Sequence, residues 1–339
     1  MLHLILVFVG WIGRTQALFP WTYDVDAFGG PEFWGLVHKE WRMCTAGMLQ
    51  SPINIDPKSL LYDPYLTYVH VDDAQVEASF ENIGQLPILT LNDTKMSVNI
   101  TGGPAFPYKY RLEQIIIHFG RVDDGEKGSE HTVDRVRFPA EIQLLAYNVD
   151  LYLNFSQAMT QPRGLLAIAV IVDMGSRTEV ELRRLTVASQ SITFKGQKTV
   201  MKRLRPSALL PRTTNYVTYD GSLTFPGCHE TVTWVIMNNP IYITREDLQI
   251  WNELQNSEIK QAEPSYMAPS YRPLKSQHGR PLRTNINVAP KNLAAVPSTC
   301  STNVYTELGY RANPNRTRLH RRELPEMEVY FDELGHGSL

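Results

Sequence analysis

The segment Glu113–Gly120, EQIIIHFG, sets a single histidine in a β-branched run. Side chains alternate faces along a strand, so His118 shares its face with Ile116. Catalytic zinc needs three protein donors, usually imidazole, carboxylate or thiolate. A strand-borne site wants a second donor two residues from the first, and the residue there is a hydrocarbon. The nine histidines form no H-x-H or H-E-x-x-H pair, and the three cysteines form no C-x-x-C. By donor count, His118 reads as a core histidine hydrogen-bonded within the fold. No G-x-S-x-G elbow and no Ser/His/Asp order supplies another mechanism.

The elements that must carry these residues are short and β-rich. From about residue 31 to 288, runs such as YLTYVHVD, PILTLN, QIIIHFG, GLLAIAVIVDMG and TVTWVIM alternate with Gly, Pro, Asn and Asp. Their length and β-branching mark them as strands. Helical periodicity is clearest in TREDLQIWNELQN, where Leu248, Trp251 and Leu254 share a face and Thr244 caps the start. No repeat of solenoid length occurs. The 339 residues, 43% hydrophobic and 20% charged, suffice for one large domain or two small ones. A net charge of −2 gives no basic field for nucleic acid.

Residues 1–17 read as a secretory signal peptide: an apolar run from Leu2 to Ile12, then small and polar residues to Ala17, though no basic residue precedes the run. A membrane anchor or a buried first strand fits less well, because the run is short for a bilayer and Gly10 and Gly13 interrupt it. Four sequons, at Asn92, Asn99, Asn154 and Asn315, fit glycosylation of a secreted chain. No later segment is long and apolar enough to span a membrane. Three cysteines in an oxidising compartment leave one over if two pair. Residues 289–339 read as a mobile tail, rich in Pro, Ser, Thr and Asn, then basic (RTRLHRREL) and then acidic (PEMEVYFDEL).

Five stretches have the order and spacing of one known family: QSPINID (50–56), GSEHTVD (128–134), FPAEIQLLAYN (138–148), GSLTFPGC (221–228) and VTWVIMNNPIYIT (232–244). Over roughly residues 21–288 the chain resembles the α-class carbonic anhydrases. RTNIN (283–287) and YDGSLT make it similar to the secreted, acatalytic carbonic anhydrase-related proteins, the tenth and eleventh members. The resemblance implies one mainly β domain: a large, mostly antiparallel, twisted sheet with peripheral helices.

It also implies roles for single residues. The three zinc-ligand positions fall on Ile116, His118 and Gln143, so two donors are gone and no zinc cofactor is expected. Thr224 and Glu130 match the hydroxyl and carboxylate that orient zinc-bound hydroxide, and are expected here as a buried hydrogen-bonded pair. Phe225 replaces a small hydroxylic residue and should partly fill the cavity. Gln85 stands at the proton-shuttle position, where an amide cannot titrate. Leu223 and Trp234 match apolar pocket positions. Cys44 and Cys228 match a disulfide of extracellular members. That leaves Cys300 for an intermolecular disulfide, either with a second copy or with a receptor, the alternative being capping by a small thiol or loss of the tail by cleavage. The expectation is a secreted pseudoenzyme serving as a binding module for cell-surface partners, with neuronal, neurexin-type receptors as the candidate. The alternative is a residual weak hydratase or esterase without stoichiometric zinc.

Overall fold

The computed structural model describes residues 21–92, 96–123, 125, 127–259 and 263–287. The signal-peptide reading of 1–17, the tail 289–339, Cys300 and the Asn315 sequon lie outside the described residues. A 13-stranded sheet dominates. Its main path starts at the edge strand Lys198–Leu204 and crosses Val76–Asn82, Pro87–Leu91, Tyr110–Phe119, Ala140–Asn148 and Leu165–Met174. It continues through Val232–Met237, Tyr216–Gly221 and Leu282–Thr284 to Leu60–Tyr62. The pairings are antiparallel except those of Leu165–Met174 with Val232–Met237 and Ile241–Ile243, and of Leu282–Thr284 with Leu60–Tyr62. The fold is thus the mainly β, largely antiparallel one expected.

The central strands read as unbroken apolar runs because both of their faces are covered. On one face Ile115, Ile117, Ile142, Leu144, Ile168 and Val170 pack into a core with the helices Val180–Ser189 and Arg245–Asn252. On the other, Ile116, Leu145, Ala167, Ala169 and Ile171 pack with Tyr23, Trp34 and Leu223. Each buried Ile or Leu contributes roughly 1.5–3 kcal/mol, so the two cores lock the alternation, and with it the register, of every strand between them.

The helix Arg245–Asn252 begins as the sequence indicates: the Thr244 hydroxyl accepts from the Asp247 amide at 3.3 Å, and Leu248 and Trp251 are buried. The helix Val180–Ser189 was not anticipated. It buries Leu182, Leu185, Thr186 and Ser189 at spacings of three, four and seven, a face partly built from small hydroxylic residues. Cys44 and Cys228 are joined in a disulfide that ties the N-terminal segment to the loop before Val232–Met237. Among the described residues no helix is long and apolar enough to cross a membrane.

Candidate functional site

The strands Tyr110–Phe119 and Ala140–Asn148 pair so that Gln143 lies opposite Ile116 and Glu141 opposite His118. Opposed residues of an antiparallel pair share a face. Ile116, His118 and Gln143 therefore meet on the same face, and all three are buried, as is Glu141.

His118 is wholly inaccessible. A backbone carbonyl can only accept, so the ring donates through Nδ1 to the Ser270 carbonyl at 2.7 Å. The Glu130 carboxyl lies 3.2 Å from the same nitrogen. Nε2 is then the bare nitrogen, and it has no partner of normal hydrogen-bond geometry among the described residues. The edge of the Tyr23 ring meets the imidazole with centroids 5.8 Å apart. Burial, opposed by the nearby Glu141 carboxylate, pushes the pKa from 6.5 down to about 4, so the ring is neutral at physiological pH.

Glu141 anchors the polar chain behind the site. Its oxygens accept from the His131 amide at 2.8 Å, from His131 Nδ1 at 2.9 Å and from Gln143 Nε2 at 3.0 Å. Burial alone would raise its pKa; the His131 and Gln143 contacts outweigh that and hold the carboxyl below the usual range. The chain continues from His131 Nε2 to the Tyr219 hydroxyl at 2.7 Å and on to Ser51 Oγ at 2.9 Å. Ser51 Oγ in turn accepts from the Ser222 amide. A hydroxyl, an imidazole and a carboxylate in series look like a nucleophile relay. Here Tyr219 stands between serine and histidine, and Ser51, His131 and Glu141 have no exposed surface. No substrate reaches this serine, and the chain is a structural network.

A strap formed by residues 268–272 closes the site. Ser270 holds His118 through its carbonyl and accepts from the Phe119 amide through its hydroxyl. The Arg272 amide donates to Glu130 at 3.0 Å, and its buried guanidinium donates to the carbonyls of Ser51 and Cys44 and to Gln50. Burial lowers the Arg272 pKa to about 10, which leaves it cationic near neutrality. Burial, then the Glu141 carboxylate, pushes the Glu130 carboxyl well above its ordinary range.

The remaining predicted positions divide. Thr224 and Glu130 are both buried, but they do not form the expected pair. Thr224 Oγ1 donates instead to Gln143 Oε1 at 3.4 Å, while Glu130 serves Arg272 and His118. The physical reason is Gln143: an amide oxygen sits where the hydroxyl can reach it, and Arg272 takes the carboxyl. Phe225 is half-buried and packs against the core on this face. Gln85 Nε2 donates to the Trp21 carbonyl at 3.0 Å, so it holds the N-terminal segment. Leu223 is buried, and Trp234 donates to the Ser222 carbonyl while packing edge-on to His131. The sequence reading missed Arg272 and the Glu141–His131–Tyr219–Ser51 chain. Glu141 was detectable, as the one charged residue of the strand Ala140–Asn148; Arg272, in a stretch without periodicity, carried no such signal.

The sequon asparagines also differ. Asn154 is exposed and caps the helix Phe155–Ala158 through its oxygen. Asn92 donates to Glu77 at 3.3 Å. Asn99 is half-buried in a strand and its amide donates to Asp72 at 2.8 Å.

These residues do not fit a zinc ion. Ile116 has no lone pair, Gln143 Oε1 is engaged by Thr224, and only His118 Nε2 remains as a free donor. Among the described residues no group of three or more His, Cys, Asp or Glu side chains is placed to hold a metal.

Residues 29–286 match the model of the eukaryotic-type carbonic anhydrase. The chain is similar to carbonic anhydrase-like protein 2 of Caenorhabditis elegans, 66% identical over 322 residues, which cover 92% of this chain and 95% of that protein. It is also similar to carbonic anhydrase-like protein 1 of the same organism, 39% identical over 337 residues, covering 80% of this chain and 92% of that protein.

Proposed function

Because the chain belongs to the eukaryotic-type carbonic anhydrase family, we propose that it is an acatalytic member whose domain serves as an extracellular binding module. The carrying observation is the pair Ile116 and Gln143, opposed across two strands at positions that resemble zinc-ligand positions of active members. A three-donor site needs both, and neither supplies an imidazole. The signal-like N-terminus, the sequons and the Cys44–Cys228 disulfide support an oxidising, extracellular setting. The partners in this reading are cell-surface proteins, with neuronal receptors of the neurexin type as candidates and Cys300 as a point of intermolecular disulfide linkage.

The alternative, a weak hydratase or esterase, rests on Thr224 and Glu130. Its support is weakened by their separation: Thr224 bonds Gln143, and Glu130 bonds Arg272. Stopped-flow CO2 hydration and esterase assays on purified full-length protein test the acatalytic reading. Rates at buffer background are expected; turnover that survives removal of contaminating enzyme would overturn it. Non-reducing gels of wild type and Cys300→Ser, each co-expressed with receptor, test the covalent link. A reductant-sensitive band of higher mass is expected only with wild type, and its absence there leaves non-covalent binding alone.

A further inference from the structure

A groove of about 1030 Å3 lies between the helix Val180–Ser189, the end of the edge strand Lys198–Leu204 and residues 239–242. Arg184, Arg203, Arg205 and Arg212 line it, against Glu179 and Glu181. Arg184 is spent on Glu181 and on the carbonyls of Lys202 and Arg203. Among the described residues, the Arg203 and Arg205 side chains are held through Nε alone, to Gln75 at 3.2 Å and Asp73 at 3.3 Å. Their terminal nitrogens, and all of Arg212, have no partner among the described residues. The exposed Arg212 guanidinium and the terminal nitrogens of Arg203 and Arg205 thus remain open to further acceptors, and a guanidinium matches a carboxylate.

The backbone is shaped to present them. The edge strand breaks register between Met201 and Leu204, and Arg203 sits there at φ +57°, the left-handed region that L side chains rarely adopt. The bulge breaks the in–out alternation, so Lys202 and Arg203 are both exposed. The groove is apolar as well as basic: Val180, 69% exposed, and the half-buried Tyr242 line it beside the arginines, over the buried Ile241. A sulfated sugar would use the cations and leave these apolar groups bare. An acidic segment with interleaved apolar residues would use both.

The chain carries one. ELPEMEVYFDEL, residues 323–334, sets Glu323, Glu326, Glu328, Asp332 and Glu333 among Met327, Val329, Tyr330 and Phe331. Residues 288–322 separate it from Asn287, which follows the strand beside the opposite edge of the sheet. That connection can span up to about 115 Å, against roughly 38 Å for the eight strand spacings between Leu282–Thr284 and the edge strand Lys198–Leu204. We propose that residues 323–334 dock in this groove in cis, carboxylates on Arg203, Arg205 and Arg212 and apolar side chains against Val180 and Tyr242. Tethering favours this occupant over a free peptide of equal intrinsic affinity. None of this depends on the Ile116, His118 and Gln143 cluster.

The test uses the full-length chain. Hydrogen exchange of residues 198–212 and carbodiimide cross-linking to Lys202 are compared between wild type and the variant Glu326→Gln/Glu328→Gln/Asp332→Asn/Glu333→Gln. Wild type should show slower exchange and a Lys202 link to residues 323–334, and both should be lost in the variant. Arg203→Glu/Arg212→Glu should lose both equally, and acidic tail residues changed to Lys in that background should restore the slower exchange. An equal mixture of 14N and 15N chains should give links within one isotope class only. Identical exchange in wild type and neutralised variant, absence of the link, or mixed-isotope links at dilute protein would each overturn docking in cis.

Discussion

Glu141→Ala is the sharpest perturbation of the polar chain behind the Ile116, His118 and Gln143 cluster. The change deletes an ionised, buried acceptor and leaves three donors without a partner: the His131 amide, His131 Nδ1 and Gln143 Nε2. Each orphaned donor costs about 1–3 kcal/mol. Relief of the carboxylate's own desolvation offsets part of this, which places the net near the 3–5 kcal/mol typical of breaking one partner of a buried charged pair. For a domain of this size each kcal/mol moves Tm by roughly 2–4 °C. We therefore expect Glu141→Ala to lower Tm by about 6–20 °C, read by calorimetry together with urea unfolding. Thr224→Val is the internal control: it removes one long hydrogen bond of 3.4 Å and should cost about 1 kcal/mol or less. A Glu141→Ala loss no larger than that of Thr224→Val would refute the view that the network is now structural.

Other outcomes follow from the same contacts. His118 ordinarily titrates near 6.5 and is held at about 4, so as pH falls through that window the unfolded chain takes up a proton that the native state refuses. Stability present above pH 6.5 is lost progressively down to pH 4, up to about 3 kcal/mol. Glu130, its carboxyl raised, contributes the opposite slope above its ordinary pKa, so the comparison is between wild type and His118→Leu. The variant should be less acid-sensitive in urea titrations, and parallel curves would contradict the assignment. Cys44→Ser/Cys228→Ser frees a closed loop of 184 residues, which is worth about 5 kcal/mol in the chain-entropy model; denaturant midpoints of oxidised wild type and the variant measure it, and coincident midpoints would contradict it. Among the described sequons, peptide mapping after enzymatic deglycosylation in heavy-oxygen water should find Asn154 modified and Asn99 bare, because the Asn99 amide is committed to Asp72 inside a strand; a glycan on Asn99 would show that this strand is open when the sugar is added.

Much of the fold was legible because the signal was local and repeated. The strands announced themselves by β-branched runs between turn residues, and the helix Arg245–Asn252 by its capping threonine and its Leu248/Trp251 stripe. The helix Val180–Ser189 was not legible, because Thr186 and Ser189 on its buried face blur the apolar period. At the site, the convergence of Ile116, His118 and Gln143 could be read only through the family resemblance, since strand pairing is a long-range property. The hydrogen-bond partners could not be read at all. Whether Thr224 bonds Glu130 or Gln143 depends on where the strap at 268–272 sets Arg272, and no spacing along the chain encodes that. Burial of the His118 ring followed from its apolar neighbours; the bare Nε2 depended on which carbonyl met Nδ1.

In the proposed reading, the face that carries Ile116, His118 and Gln143 is a packed, hydrogen-bonded core that holds no metal. The most direct test of that reading is zinc stoichiometry after equilibrium dialysis against buffered nanomolar zinc, for wild type and for Ile116→His/Gln143→His, each verified as folded by circular dichroism. The register already sets both positions opposite one another and beside His118, so two imidazoles should complete a three-donor site. Background zinc is expected in the wild type and close to one zinc per chain in the double variant. One tightly held zinc per chain in the unaltered protein would contradict the proposed reading.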